Sequence, residues 1–374
     1  VSRVPVSASG EQTSLWERKR RAGQRLICGF EGTSPSDPLK DALRLFAPAG
    51  FILFSRNVEE AEQVLELNRE LASLVPAELP ALLSVDQEGG RVQRVKSPAT
   101  EWPPMRWLGR ARDLQLTRDV AAALGREVRA LGFNLNFAPV ADVDSNADNP
   151  VIGDRSFGRS AEEVGLQVAS FIQGMQSEGV IACAKHFPGH GDTNTDSHLT
   201  LPVVEKELPD LEGVELPPFN AAVQAGVGSI MTAHVVFPAL DEDRPATLSE
   251  KVLRPLLRQR LGFEGIVFSD DMEMKAVHGR YGLTQQLDWG VRAGVDIFLC
   301  CKETELQVEA FETLVRLQEE DPVFERLLED SDKRLLQLRE RFFLGGRKAP
   351  GLDVLGTMAH RILAERVRAI ESRG

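Results

Sequence analysis

Eight short apolar runs rich in β-branched and aromatic residues punctuate the chain: Arg25 to Phe30, Phe51 to Ser55, Ala81 to Asp86, Phe133 to Pro139, Val180 to His186, Ser229 to His234, Gly265 to Asp270 and Val295 to Cys301. The runs are continuous rather than alternating, the pattern of strands covered on both faces in a parallel sheet. Helical patterns lie between them. Val58 to Val75 sets Val64, Leu65, Leu67, Leu71 and Leu74 near one stripe, Leu114 to Ala130 does so with Val120, Leu124 and Val128, and Ser160 with Glu163 forms a capping-box pattern opening a helix to Glu178. Gly50, Gly132, Gly179, Gly226, Gly262 and Gly294 each precede a run, where a helix needs a left-handed residue before turning into a strand.

Eight strand-helix units fit either a closed (β/α)8 barrel or a long doubly wound sheet. No G-x-G-x-x-G follows the first run, so the TIM-type barrel is the expectation. The long connections follow the third, fourth and fifth runs, whereas the helix-to-strand turns are short. This predicts enlarged strand-to-helix loops, the side on which barrel enzymes place their chemistry. After Cys301 only helical, charged sequence remains. The expected organisation is an N-terminal segment over 1–22, a catalytic barrel over 23–301, and C-terminal helices over 302–374 packed on it.

With 42% hydrophobic and 27% charged residues in 374, the chain can bury a sizeable core. A net charge of -12 argues against nucleic acid or an anionic membrane as partner. No run approaches the roughly 18 apolar residues of a membrane helix. Val1 to Gly10 lacks the apolar core of a signal peptide, so a cytoplasmic protein is expected. Cys28, Cys183, Cys300 and Cys301 fall inside apolar runs without a C-x-x-C pair, which predicts buried, reduced thiols.

The run ends are polar: Asp86-Gln87-Glu88, Asp142 and Asp144, Lys185-His186, His234, and Ser269-Asp270-Asp271. In one barrel such groups converge on a single mouth. A carboxylate with a proton donor is the minimum for glycosyl transfer to water. Asp270 shares a face with Ile266 and Phe268, and Asp271 with Val267 and Ser269, so alternation does not choose between them; a helix-capping role is open to either. Asp196 stands two residues from His198, a pairing that tunes an imidazole for acid and base work, against the plainer reading of a solvated loop histidine. His186, His190, Asp192 and His198 could form a metal site. The spacing H-x3-H-x7-H matches no helical zinc motif, however, so no metal is expected.

K-H-F-P-G-H-G-D-T-N-T-D-S-H (185–198), S-V-D-Q-E-G-G-R-V-Q-R (84–94), N-P-V-I-G-D-R-S-F-G (149–158) and V-F-S-D-D-M-E-M (267–274) together resemble the family 3 glycoside hydrolases, and within them the β-N-acetylglucosaminidase branch of peptidoglycan recycling. The motifs stand in family order, and the resemblance covers about residues 22 to 345. It implies the barrel fold, Asp270 as nucleophile, His198 as general acid/base and Asp196 as its dyad partner. It further implies that Asp86, Arg94, Arg155, Lys185 and His186 bind the hydroxyls and acetamido group of N-acetylglucosamine. A histidine acid departs from the usual two-carboxylate scheme; Gly189 and Gly191 are expected to lend its loop mobility.

Glu88 and Asp271 are expected to support these groups or cap helices, and His234 either to face the pocket or to be buried and hydrogen-bonded. His278 and His360 read as surface or packing residues. Glu273 and Met274 read as a helix start, with Met272 a candidate pocket residue. The expected activity is that of a retaining exo-β-N-acetylglucosaminidase without metal or organic cofactor, acting on a small glycan or muropeptide substrate. A phosphorylase or β-glucosidase of the same family and a non-catalytic sugar-binding barrel are the rivals.

Overall fold

The computed structural model describes residues 13–194, 201–345 and 348–371. Eight parallel strands close into one barrel: β1 (Leu26–Cys28), β2 (Gly50–Leu53), β3 (Leu82–Val85), β4 (Leu135–Asn136), β5 (Ile181–Phe187), β6 (Ser229–Thr232), β7 (Ile266–Asp271) and β8 (Ile297–Cys300). Each falls in, or within one residue of, its apolar run. β1 pairs with β8 to complete the circle, Ile27 opposite Leu299.

Alternation sorts the side chains into two cores. Ile27, Ile52, Leu82, Leu135, Ile181, Cys183, Ile266, Phe268, Ile297 and Leu299 fill the interior, where Phe137 meets Phe268 edge-to-face at 5.3 Å. Cys28, Phe51, Leu83, Val85, Ala182, Val267 and Phe298 face the helices instead. Both faces are buried, which is why the runs are continuous. All four cysteines are free and buried, and burial pushes the Cys183 thiol up to about 12.

The outer helices match the sequence periodicity closely: Ala61–Ser73, Leu114–Ala130 and Ala161–Ser177, the last capped by Ser160. Gly132, Gly179, Gly226, Gly262 and Gly294 take positive φ before the next strand, as helix exits require. Gly50 is different. It lies inside β2, where an added Cβ would sit 1.9 Å from the Leu82 carbonyl oxygen, so close strand approach fixes it.

After the barrel come helices Thr304–Glu320, Pro322–Phe343 and Met358–Glu371. Leu335 and Leu338 of the second join the interior core from the strands' N-terminal end, where Gly228 abuts Leu338 and Phe342. The barrel floor is therefore a helix. On the last helix, His360 is buried rather than superficial, with Nδ1 2.8 Å from Glu127. His278 is exposed. Helix Leu15–Gly23 carries Arg18 and Arg20, which pair with Glu325 and Asp332. Among the described residues no helix is long and apolar enough to cross a membrane.

Candidate active site

At the C-terminal ends of the strands opens a cavity of about 210 Å³, lined by Asp86, Glu88, Arg94, Arg155, Lys185, His186, His190, Asp270 and Asp271 with an apolar share from Phe54, Met231, Met274 and Leu299. That is below the roughly 300–1,000 Å³ of sites enclosing drug-sized ligands, so it suits one compact polar group. The interior core closes it from beneath.

One wall is a chain of ion pairs. Lys185 Nζ lies 2.7 Å from Asp86 Oδ1 and 2.7 Å from Glu88 Oε1. Arg155 grips both oxygens of Glu88, Nε and Nη2 each at 2.9 Å, and Arg94 Nη2 stands 3.4 Å from Asp86 Oδ2. Burial pushes each carboxyl toward its neutral form, but the cations outweigh it: Lys185 and Arg94 hold Asp86 low, and Arg155 and Lys185 hold Glu88 far below the usual range. Burial likewise opposes the charge on Lys185, and Asp86 and Glu88 reverse it. Asp86 and Glu88 are therefore acceptors, not acids. The Arg94 Nε is buried without a partner among the described residues, a donor left for a ligand.

A second wall is organised by Asp142, which is fully buried. Its Oδ2 lies 2.7 Å from His186 Nδ1, and its Oδ1 accepts the backbone N–H of His186 at 3.1 Å and of His190 at 2.7 Å. A carboxylate at Nδ1 draws the hydrogen to that nitrogen and leaves Nε2 for a ligand. Lys185 continues the inward parity of Ile181 and Cys183. The register against β6 shifts between Lys185 and Phe187, so His186 also reaches the cavity while Phe187 turns to the outer core. His190 Nδ1 is 2.9 Å from Thr193 Oγ1, and burial and the neighbouring His186 push its pKa down to about 4.

The glycines of this loop have a packing reason to be small. An added Cβ at Gly191 would lie 1.6 Å from the Val143 carbonyl oxygen. At Gly189, whose φ is +150°, it would lie 2.3 Å from Glu215 Oε2. Both are small because the loop is wedged between neighbours. Glu215 is itself buried and held by Lys206 at 2.8 Å; burial raises its carboxyl to about 7 against that cation.

On β7, Ile266 and Phe268 point inward, and that parity carries Asp270 into the cavity. Asp270 Oδ1 accepts the Asp271 N–H at 2.8 Å. Burial works against its charge, but His234, His186, this N–H and Lys185 outweigh burial and keep its pKa low. Asp271 also borders the cavity, its Oδ1 accepting from Glu273 N at 3.1 Å and Cys301 N at 3.3 Å. Burial, then Glu273 and Asp270, raise its carboxyl to about 7. Two adjacent carboxyls are thus driven apart.

Six of the eight sequence-derived site residues, Asp86, Arg94, Arg155, Lys185, His186 and Asp270, line this one cavity. The other two, Asp196 and His198, lie outside the described residues. Glu88 is more central than a supporting or capping role, being the node between Arg155 and Lys185. Met274 lines the cavity, whereas Met272 packs into the outer core. No helix starts at Glu273; its Oε1 accepts the backbone N–H groups of Lys302 and Glu303, and the next helix is Leu283–Ala293. Asp142 was expected at the mouth among the polar run ends, but not as the partner of His186. Its place at the end of the fourth run was the available signal.

A closed parallel barrel with a carboxylate-rich, cation-braced pocket at its C-terminal mouth is the architecture of a barrel enzyme. Residues 30–338 match the glycosyl hydrolase family 3 N-terminal domain, and the chain belongs to that family. It is 38% identical over 301 residues to a β-hexosaminidase of Nitrosomonas eutropha, covering 78% of this chain and 84% of the relative. The fold superposes with a TM-score of 0.89 and 40% identity on a family 3 β-N-acetylglucosaminidase of Paenibacillus sp. FPU-7, covering 94% of this chain and 68% of that one. NagZ from Neisseria gonorrhoeae, solved with N-trifluoroacetyl-D-glucosamine, matches at a TM-score of 0.74 and 31% identity over 92% of this chain and 97% of its own. The protein is a glycoside hydrolase, and its relatives here are β-hexosaminidases and β-N-acetylglucosaminidases.

Proposed function

We propose that this chain is a retaining exo-β-N-acetylglucosaminidase that removes terminal β-linked N-acetylglucosamine from peptidoglycan-derived fragments in the cytoplasm by double displacement. The observation that carries the reading is Asp270: a carboxylate kept ionised in a closed-floored cavity, aimed by the Asp271 N–H.

In the first step the Asp270 carboxylate attacks the anomeric carbon. The glycosidic C–O bond breaks, its electron pair passes to the leaving oxygen, and His198 protonates that oxygen. In the second step water gives a proton back to His198 and displaces Asp270, returning the sugar with its original configuration. Asp196 is the dyad partner of His198 in this scheme. Asp86 and Glu88, fixed as acceptors, Lys185, Arg155 and Arg94 as donors, and His186 through its Nε2 suit the sugar's hydroxyls and acetamido group. The N-acylated glucosamine bound by the Neisseria relative supports a like sugar here.

An activated 2-deoxy-2-fluoro glycoside tests the scheme. It should leave a covalent adduct on Asp270, seen by peptide mass spectrometry, and Asp270→Ala should cut turnover at least about a thousandfold. Labelling at Asp271, or an inverted product, would overturn it.

A further inference from the structure

Behind Asp270, away from the cavity lining, β6 ends in a set of buried side chains that the reaction scheme leaves unused. His234, Thr232 and Thr247 are all fully buried. His234 Nε2 lies 3.1 Å from the Asp271 backbone carbonyl oxygen, and its Nδ1 lies 2.9 Å from Thr247 Oγ1. Thr247 Oγ1 is in turn 2.8 Å from Thr232 Oγ1 and 3.0 Å from the Ala233 carbonyl oxygen.

These contacts assign the hydrogens. A carbonyl oxygen only accepts, so Nε2 carries the ring hydrogen. Burial pushes its pKa down against the pull of Asp270, and its neutral form carries one N–H. Nδ1 of that form is an acceptor to which the Thr247 hydroxyl can donate, with Thr232 donating to Thr247. The Ala233 carbonyl competes for the same hydroxyl hydrogen. The outcome matters because Asp271 is held at both ends: its carbonyl by His234, its N–H on Asp270 Oδ1 at 2.8 Å.

We propose that Thr247 and His234 are positioning residues for Asp270: the Thr247 hydroxyl selects the Nε2–H tautomer of His234, and that N–H fixes the Asp271 peptide that aims the Asp270 carboxylate. The inference rests on Asp270 being the nucleophile.

Thr247→Val keeps the side-chain shape and removes the hydroxyl. Its rate constant for labelling of Asp270 by the 2-fluoro glycoside should fall about tenfold, the effect of one lost buried hydrogen bond, while the Kd for N-trifluoroacetyl-D-glucosamine stays within about twofold. Thr247→Ser should restore labelling to within about threefold of the parent. Nitrogen-15 NMR of the intact parent protein should report His234 as the Nε2–H tautomer. Labelling of Thr247→Val at the parental rate, or an Nδ1–H tautomer, would overturn the proposal. Absence of any adduct on Asp270 in the parent would instead refute the double-displacement reading, with the tautomer still measurable.

Discussion

Glu88 and Arg155, 67 positions apart in the chain, meet through two parallel hydrogen bonds of 2.9 Å, and the same carboxylate takes Lys185 at 2.7 Å. Removing one member of such a buried set strands the others.

Glu88→Gln should therefore cost about 3–5 kcal/mol of stability, because Arg155 and Lys185 lose a buried counter-charge. The folded pKa of Glu88 is depressed, so its contribution is full above the unfolded value of roughly 4.3 and is lost as pH falls below it. Thermal melts at falling pH should show the parent losing stability more steeply than Glu88→Gln. Parallel slopes would refute this.

Gly191→Ala places a Cβ against the Val143 carbonyl and should destabilise by more than about 2 kcal/mol, with activity falling too. Gly213→Ala, with nothing within 4 Å of the new atom, is the internal control. It should be neutral or gain up to about 1 kcal/mol. Denaturant melts of the two variants decide the matter.

Asp271 has the opposite linkage to Glu88. Its folded pKa is raised to about 7, so its contribution is full below the unfolded value of roughly 3.9 and is lost as pH rises through about 7. Asp271→Asn should flatten that decline, giving a protein at least as stable as the parent at alkaline pH by calorimetry. A variant that melts lower than the parent there would contradict the assignment.

A chromogenic β-N-acetylglucosaminide should be cleaved equally fast in phosphate and in an inert buffer, with free sugar as product. A sugar 1-phosphate would mark a phosphorylase. The matching β-glucoside should react at least about a hundredfold more slowly, since on the proposed reading the donors that meet the acetamido group would be left unpaired.

Continuous apolar runs located all eight strands, because a doubly covered strand has no polar face to break its pattern. β4 shrank to Leu135–Asn136 within the longer run Phe133 to Pro139, as Pro139 has no N–H for a ladder. The hairpins Gln87–Gly89 with Val92–Gln93 and Val236–Phe237 with Asp241–Pro245 left no apolar signature. Strand-end polarity was enough to collect Asp86, Lys185, His186 and Asp270 at one mouth. What remained hidden was pairing over distance: that Asp142 would meet His186, that Glu88 would join Arg155 to Lys185, and that Gly50, Gly189 and Gly191 serve close approach. Such facts live in the fold's three-dimensional neighbours, which a single sequence does not display.

The cavity's ions cancel. Lys185, Arg155 and Arg94 stand against Asp86, Glu88 and Asp270, and Asp271, raised to about 7, is mostly protonated below that pH, so there a neutral sugar enters a site that is strongly polar yet without net charge. Recognition there needs no long-range field, and its strength should hardly change with ionic strength. The wall behaves as a frozen solvent whose dipoles and charges were oriented at folding, already turned toward the hydroxyls and toward the positive charge that grows at the anomeric carbon.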